Sequence, residues 1–125
     1  MWFSLEVFAG AAAAIVLALP ANAQGVLMER QISMGMAKTI AEGAVEQCRR
    51  DNYHVTATVL DRAGQVRVIL RDDGSSPATI DTSRRKAYTA RVFRQTTAEF
   101  AERVSANPAL KEITDVITLA GGVPI

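Results

Sequence analysis

The chain has 125 residues, 14 basic and 13 acidic, for a formal charge of +1. That length is one domain, and so small a charge sets no strong field for nucleic acid or acidic substrates. Hydrophobic residues make up 49% and charged residues 22%, which excludes disorder as the main state, while one Cys and one His exclude a disulfide framework, a multi-Cys metal site and a multi-His cage.

Residues 7–19 are apolar except for Gly10. At 1.5 Å per residue this run spans only about 20 Å, short of a bilayer core of roughly 30 Å. Pro20 ends it, and Ala21, Asn22 and Ala23 follow, with small residues at the two Ala positions that suit signal-peptidase cleavage. Residues 1–23 therefore read as a signal peptide, although the start carries Glu6 and no Lys or Arg. Cleavage leaves 24–125, with 14 bases, 12 acids and no membrane span, in the periplasm or outside the cell.

The spacing of Ile32, Met36, Ile40, Ala44 and Cys48, flanked by Ala37, Ala41 and Val45, predicts a helix with one broad apolar stripe. Met36 and Cys48 on that stripe read as core. Arg49 and Arg50 suit the negative end of the helix, and Asp51-Asn52 breaks it. The period then changes to two. Val55, Ala57 and Val59 alternate with Thr56, Thr58 and Leu60, residues 61–64 turn at Gly64, and Val66, Val68 and Leu70 alternate with Arg67, Ile69 and Arg71. This predicts an antiparallel hairpin.

A breaker-rich loop over 72–77 leads to a second helix from about Thr79 or Asp81, with Ser83, Ala87, Ala90 and Phe93 inward. Thr96 or Thr97 caps a third helix with Glu99 in its first turn. Phe100 and Val104 lie on it, and Asn107-Pro108 stops it. Ile113, Val116, Ile117 and Leu119 read as a last apolar segment, a short strand, before Gly121-Gly122-Val123-Pro124-Ile125. The fold class is α/β in the α+β sense, an antiparallel sheet with helices packed on it.

Val59-Leu60-Asp61-x-x-Gly64, Arg71-x-Asp73-Gly74, Ser83-x-x-Lys86-Ala87-x-Thr89-Ala90 and Gly121-Gly122-x-Pro124-Ile125 occur in this order. In them the chain resembles the GlcG/HbpS-like haem-binding family, whose fold is also that of the C-terminal domain of PduO-type proteins. The resemblance covers about residues 33–125 and implies a homo-oligomer that binds a small molecule. Members continue past Gly-Gly-x-Pro-Ile with a hairpin and a helix, so it also implies that this domain is truncated at its C-terminus.

Function then divides three ways. The first is an exported protein binding haem or a related tetrapyrrole, with no catalysis of its own. The second is an enzyme or accessory domain for a small hydroxy acid of glycolate type or a corrinoid. The third is a fragment without function. Arg71, Asp73, Gly74, Lys86 and Thr89 are the candidate ligand-binding residues. If the loop folds over the second helix, Arg71 and Lys86 meet a propionate or small carboxylate. Structural roles compete: Asp73 capping the loop or helix, and Lys86 pairing with Asp73 or Asp61. His54 is the one imidazole available to an iron, but it sits at a strand edge, and the sequence names no partner to orient it.

The leader reading predicts that N-terminal sequencing of the protein from its native host begins at or near Gln24. An intact Met1 on a soluble cytoplasmic product would sink it.

Overall fold

Ser33 starts the first helix by accepting the backbone N–H of Met36 at 3.2 Å, a side-chain N-cap. In the computed structural model, which describes residues 25–125, this helix is α1 (Met34–Arg50). The expected signal peptide, 1–23, lies outside the described residues. Ala37, Ala41 and Val45 recur every four residues and are buried. Two alanines on that line let the helix approach closely.

Strands β1 (Thr56–Leu60) and β2 (Val66–Arg71) form the predicted antiparallel hairpin, with Thr56 opposite Arg71 and Thr58 opposite Ile69. Asp61 holds the turn. Its Oδ1 accepts the N–H groups of Ala63 and Gln65, each at 2.9 Å, and Gly64 takes a φ of 81°. The alternation sorts the two faces. Ala57, Val59, Val68 and Leu70 pack with Ala37, Ala41 and Ile40. Thr56 and Thr58 meet α2 (Ala78–Phe93) instead, through hydroxyl contacts to Thr79 at 2.6 Å and Ser83 at 2.7 Å.

α3 (Thr97–Ala106) begins with a capping box between Thr96 and Glu99. Phe100, Val104 and Val116 form a second core with Phe93 and Leu110. The Phe93 and Phe100 rings lie 4.3 Å apart, tilted. A 3₁₀ turn (Pro108–Glu112) follows. The apolar segment after it is not the expected strand. Its backbone is satisfied by α2 side chains: the Ile117 N–H donates to Thr89 Oγ1 at 2.9 Å, and Arg85 donates to the Val116 carbonyl at 2.7 Å.

The chain then crosses α2 at Gly121 and Gly122. Gly122 donates to Thr97 Oγ1 at 3.0 Å, and its carbonyl accepts the Thr97 N–H at 3.0 Å. A Cβ at Gly122 would lie 2.4 Å from the Lys86 carbonyl oxygen, so the crossing requires glycine. Among the described residues no helix is long and apolar enough to cross a membrane.

Gly122→Ala should destabilise the domain by about 1–3 kcal/mol, because the clash is with helix backbone that cannot swing aside. Urea unfolding at neutral pH measures this; an unchanged midpoint would disprove the close crossing.

Candidate functional site

A groove of about 1130 Å³ runs along β1 between α1 and α2, with residues 121–125 on its rim. Met36, Ile40, Ala44 and Cys48 form the α1 wall. This corrects the reading of Met36 and Cys48 as core. The neighbouring line of Ala37, Ala41 and Val45 goes under the sheet, and Met36 is 62% exposed. Thr79, Ser83, Lys86 and Ala87 form the α2 wall. Arg30, Arg62, Lys86, Arg91 and Arg94 line the groove, against Asp61 as its one acidic side chain. The whole-chain charge predicted no field for an acidic ligand, yet this groove is basic.

His54 lines the same groove. It has the partner that the sequence could not name: its Nδ1 lies 3.0 Å from Oδ2 of Asp72. Asp72 is 4% exposed. Its Oδ1 accepts from Nε of Arg49 at 2.8 Å, from a second Arg49 nitrogen, and from the Asp73 N–H at 3.0 Å. The Arg49 hydrogen bond, then the His54 one, holds the Asp72 carboxyl at about 2, below its usual 3.8, against the opposing effect of burial. An ionised carboxylate only accepts hydrogen bonds. Nδ1 is therefore the protonated nitrogen, and in the neutral ring Nε2 keeps its lone pair. Among the described residues Nε2 has no hydrogen-bond partner. The ring also packs on the turn at Gly74, where a Cβ would stand 3.6 Å away and φ is 81°.

The other candidates are dispersed. Lys86 is in the groove beside Gly121, and it pairs with neither Asp61 nor Asp73. Arg71 lies away from that groove, on a smaller one with Asp72, Glu46 and Arg49, and donates to the Ser75 carbonyl at 2.9 Å. The structure therefore does not bring Arg71 and Lys86 together. Asp73 is exposed, and Gly74 supports His54. Thr89 is fully buried, and its hydroxyl is used by Arg85 and Ile117, which leaves it no contact for a ligand. Of the triplet Arg84-Arg85-Lys86, Arg84 bonds Asp81 and Asp115, Arg85 bonds Val116, and only Lys86 reaches the groove. Sequence reasoning missed Asp72, Arg49, Arg62, Arg91 and Arg94. The signal for Asp72 was the hairpin register: one step beyond Thr56 and Arg71 puts Asp72 beside Val55.

Comparison with known proteins agrees with this fold. Residues 32–125 match the family model described as "Haem degrading protein HbpS-like". Protein GlcG of Escherichia coli is 30% identical over 95 residues, which covers 75% of this chain and 71% of GlcG. The crystal structure of HbpS is similar with a TM-score of 0.81 at 34% identity, covering 86% of this chain and 76% of HbpS. The crystal structure of a PduOC–haem complex has a TM-score of 0.64 at 20% identity, covering 72% and 69%, a likeness of fold alone.

Asp72 sets an acid limit on stability. Its pKa is depressed in the folded state, so its contribution is complete above about pH 4 and is lost as pH falls through about 2. Asp115 and Glu99 are also lowered, with the same sign. Urea midpoints of the wild type should fall between pH 4 and 2, and those of Asp72→Asn should fall less. Parallel profiles would refute the pairing of the buried Asp72 carboxylate with Arg49 and His54.

Proposed function

The chain belongs to the HbpS-like family, and on that footing we propose that it binds haem, or a related tetrapyrrole bearing carboxylates, in the groove between α1 and α2. One observation carries this: a single groove combines an apolar helix face, a surplus of cations and an imidazole with a fixed tautomer. Those are the needs of the ligand. The ring takes flat apolar contact from Met36, Ile40 and Ala44. Lys86 and Arg91 on α2, with Arg94 at its C-cap, would supply charge to the propionates. The iron takes a nitrogen donor. Bound haem supplies an iron centre whose electronics follow its axial ligand. The haem degradation in the family's description supports the same ligand class.

We place this binding outside the cytoplasm, in an oligomer of the cleaved chain; the leader sequence supports the first part and the family resemblance the second. A small hydroxy acid is the second reading. The row of hydroxyls from Thr56, Thr79, Thr58 and Ser83 beside Lys86 favours it, while the apolar α1 wall favours the tetrapyrrole.

Titration of the protein with ferric haem, followed at the Soret band, should saturate. Lys86→Ala should weaken binding by about 1–3 kcal/mol, tenfold at 1.4 kcal/mol. Arg71→Ala should stay within tenfold, since Arg71 is outside the groove. Equal losses in both variants would move the site to the loop. No saturation, with heat released on titrating glycolate, would favour the small acid.

A further inference from the structure

The imidazole of His54 has more behind it than an anion groove requires. Arg49 comes from the last turn of α1, His54 from the lead into β1, and Asp72 from the exit of β2. Asp72 ties all three together, with one carboxylate oxygen for Arg49 and the other for His54. The Arg49 charge balances the carboxylate, so Asp72 accepts the His54 proton without needing to take it. Gly74 closes the arrangement from the turn side, where a larger residue is disfavoured by its φ of 81°.

We propose that Asp72 is the positioning residue of an axial iron ligand: it fixes His54 in its Nδ1–H tautomer and holds Nε2 at the groove as the donor to haem iron, while Arg49 holds Asp72. This rests on the haem reading of the groove and adds which side chain meets the iron and which one tunes it. It also gives the strand-edge His54 the orienting partner that the sequence did not name. A carboxylate on Nδ1–H makes the imidazole a stronger donor. A stronger donor favours ferric over ferrous iron. Since His54 is the only histidine, and no group of three or more His, Cys, Asp or Glu able to hold a metal exists among the described residues, a bare metal ion finds no such cage here. A haem brings four nitrogens of its own and needs only one more.

The test uses the full chain with ferric haem and reads spectra rather than turnover. His54→Gly should lose the histidine-ligated spectrum, and free imidazole should restore it. Asp72→Asn should still bind haem, with a raised midpoint potential and a lower iron–histidine stretching frequency in the ferrous form. Asp72→Glu should recover part of both shifts. Circular dichroism checks the fold of each variant. If Asp72→Asn does not fold, Arg49→Gln takes its place: it leaves the Asp72 carboxylate without its balancing charge, so the midpoint potential should fall and the stretching frequency rise, shifts opposite in sign to those of Asp72→Asn. Haem bound by His54→Gly with an unaltered spectrum, indifferent to imidazole, would overturn the ligand assignment and leave the groove reading intact. Folded Asp72→Asn and Arg49→Gln with wild-type potential and stretching frequency would overturn the positioning role. Absence of saturable haem binding in the wild type would overturn both the inference and the reading beneath it.

Discussion

A hairpin of two strands cannot hold itself in water; at least one face must be covered. Here the two faces are covered by different chemistry. Ala57, Val59, Val68 and Leu70 take the small-residue line of α1. Thr56 and Thr58 take the hydroxyls of Thr79 and Ser83 on α2. Two helices thus flank β1, and the space between them is the groove. Its shape follows from period-two alternation in five residues, since a slip of one residue would exchange the faces.

The loop between β2 and α2 depends on the same hairpin. The Asp72 N–H donates to the Val55 carbonyl at 2.9 Å, which continues the strand pairing by one residue. That bond turns the carboxylate toward Arg49 and His54 and leaves Asp73 outside. A charge so buried is costly without partners, and Asp72 accepts from Arg49, His54 and the Asp73 amide. The clasp of the C-terminal segment follows similar logic. Thr89 and Thr97 are both fully buried, and each receives a backbone N–H from the segment that crosses them.

The elements were legible because their signals are local. The four-residue spacing on α1, the alternation in β1 and β2, and the Thr96–Glu99 capping box each need only neighbours in sequence. What was not legible depended on distance. Two adjacent apolar lines on α1 look alike in sequence; the alanine line goes under the sheet because it permits close approach, and Met36 and Ile40 remain on the rim. Asp72 and Asp73 are likewise equivalent until the register chooses one. Thr89 looked free to bind because its partner, the Ile117 amide, lies 28 residues away. The resemblance supplied the order of motifs but not which residues share a cavity, and so Arg71 and Lys86 were joined when the fold separates them.

The charge of the groove follows from how the acids are used. Asp61 is spent on the hairpin turn, Asp72 on Arg49, Asp81 and Asp115 on Arg84, and Glu99 on the cap of α3. Each of these is a task in the framework, and all but Asp61 are away from the groove lining. Of the groove cations Arg62 pairs with Glu29 at 3.8 Å, while Lys86, Arg91 and Arg94 have no acidic partner among the described residues, so a chain of formal charge +1 carries a locally basic cleft. Low-dielectric walls on the α1 side strengthen that field. The Arg49–Asp72 pair does not cancel it, because the two charges compensate each other. His54 therefore stands in a groove whose other charged side chains are nearly all positive, with a neutral ion pair behind it. An anionic, largely apolar ligand with an electron-accepting centre is the class of molecule for which those features act together.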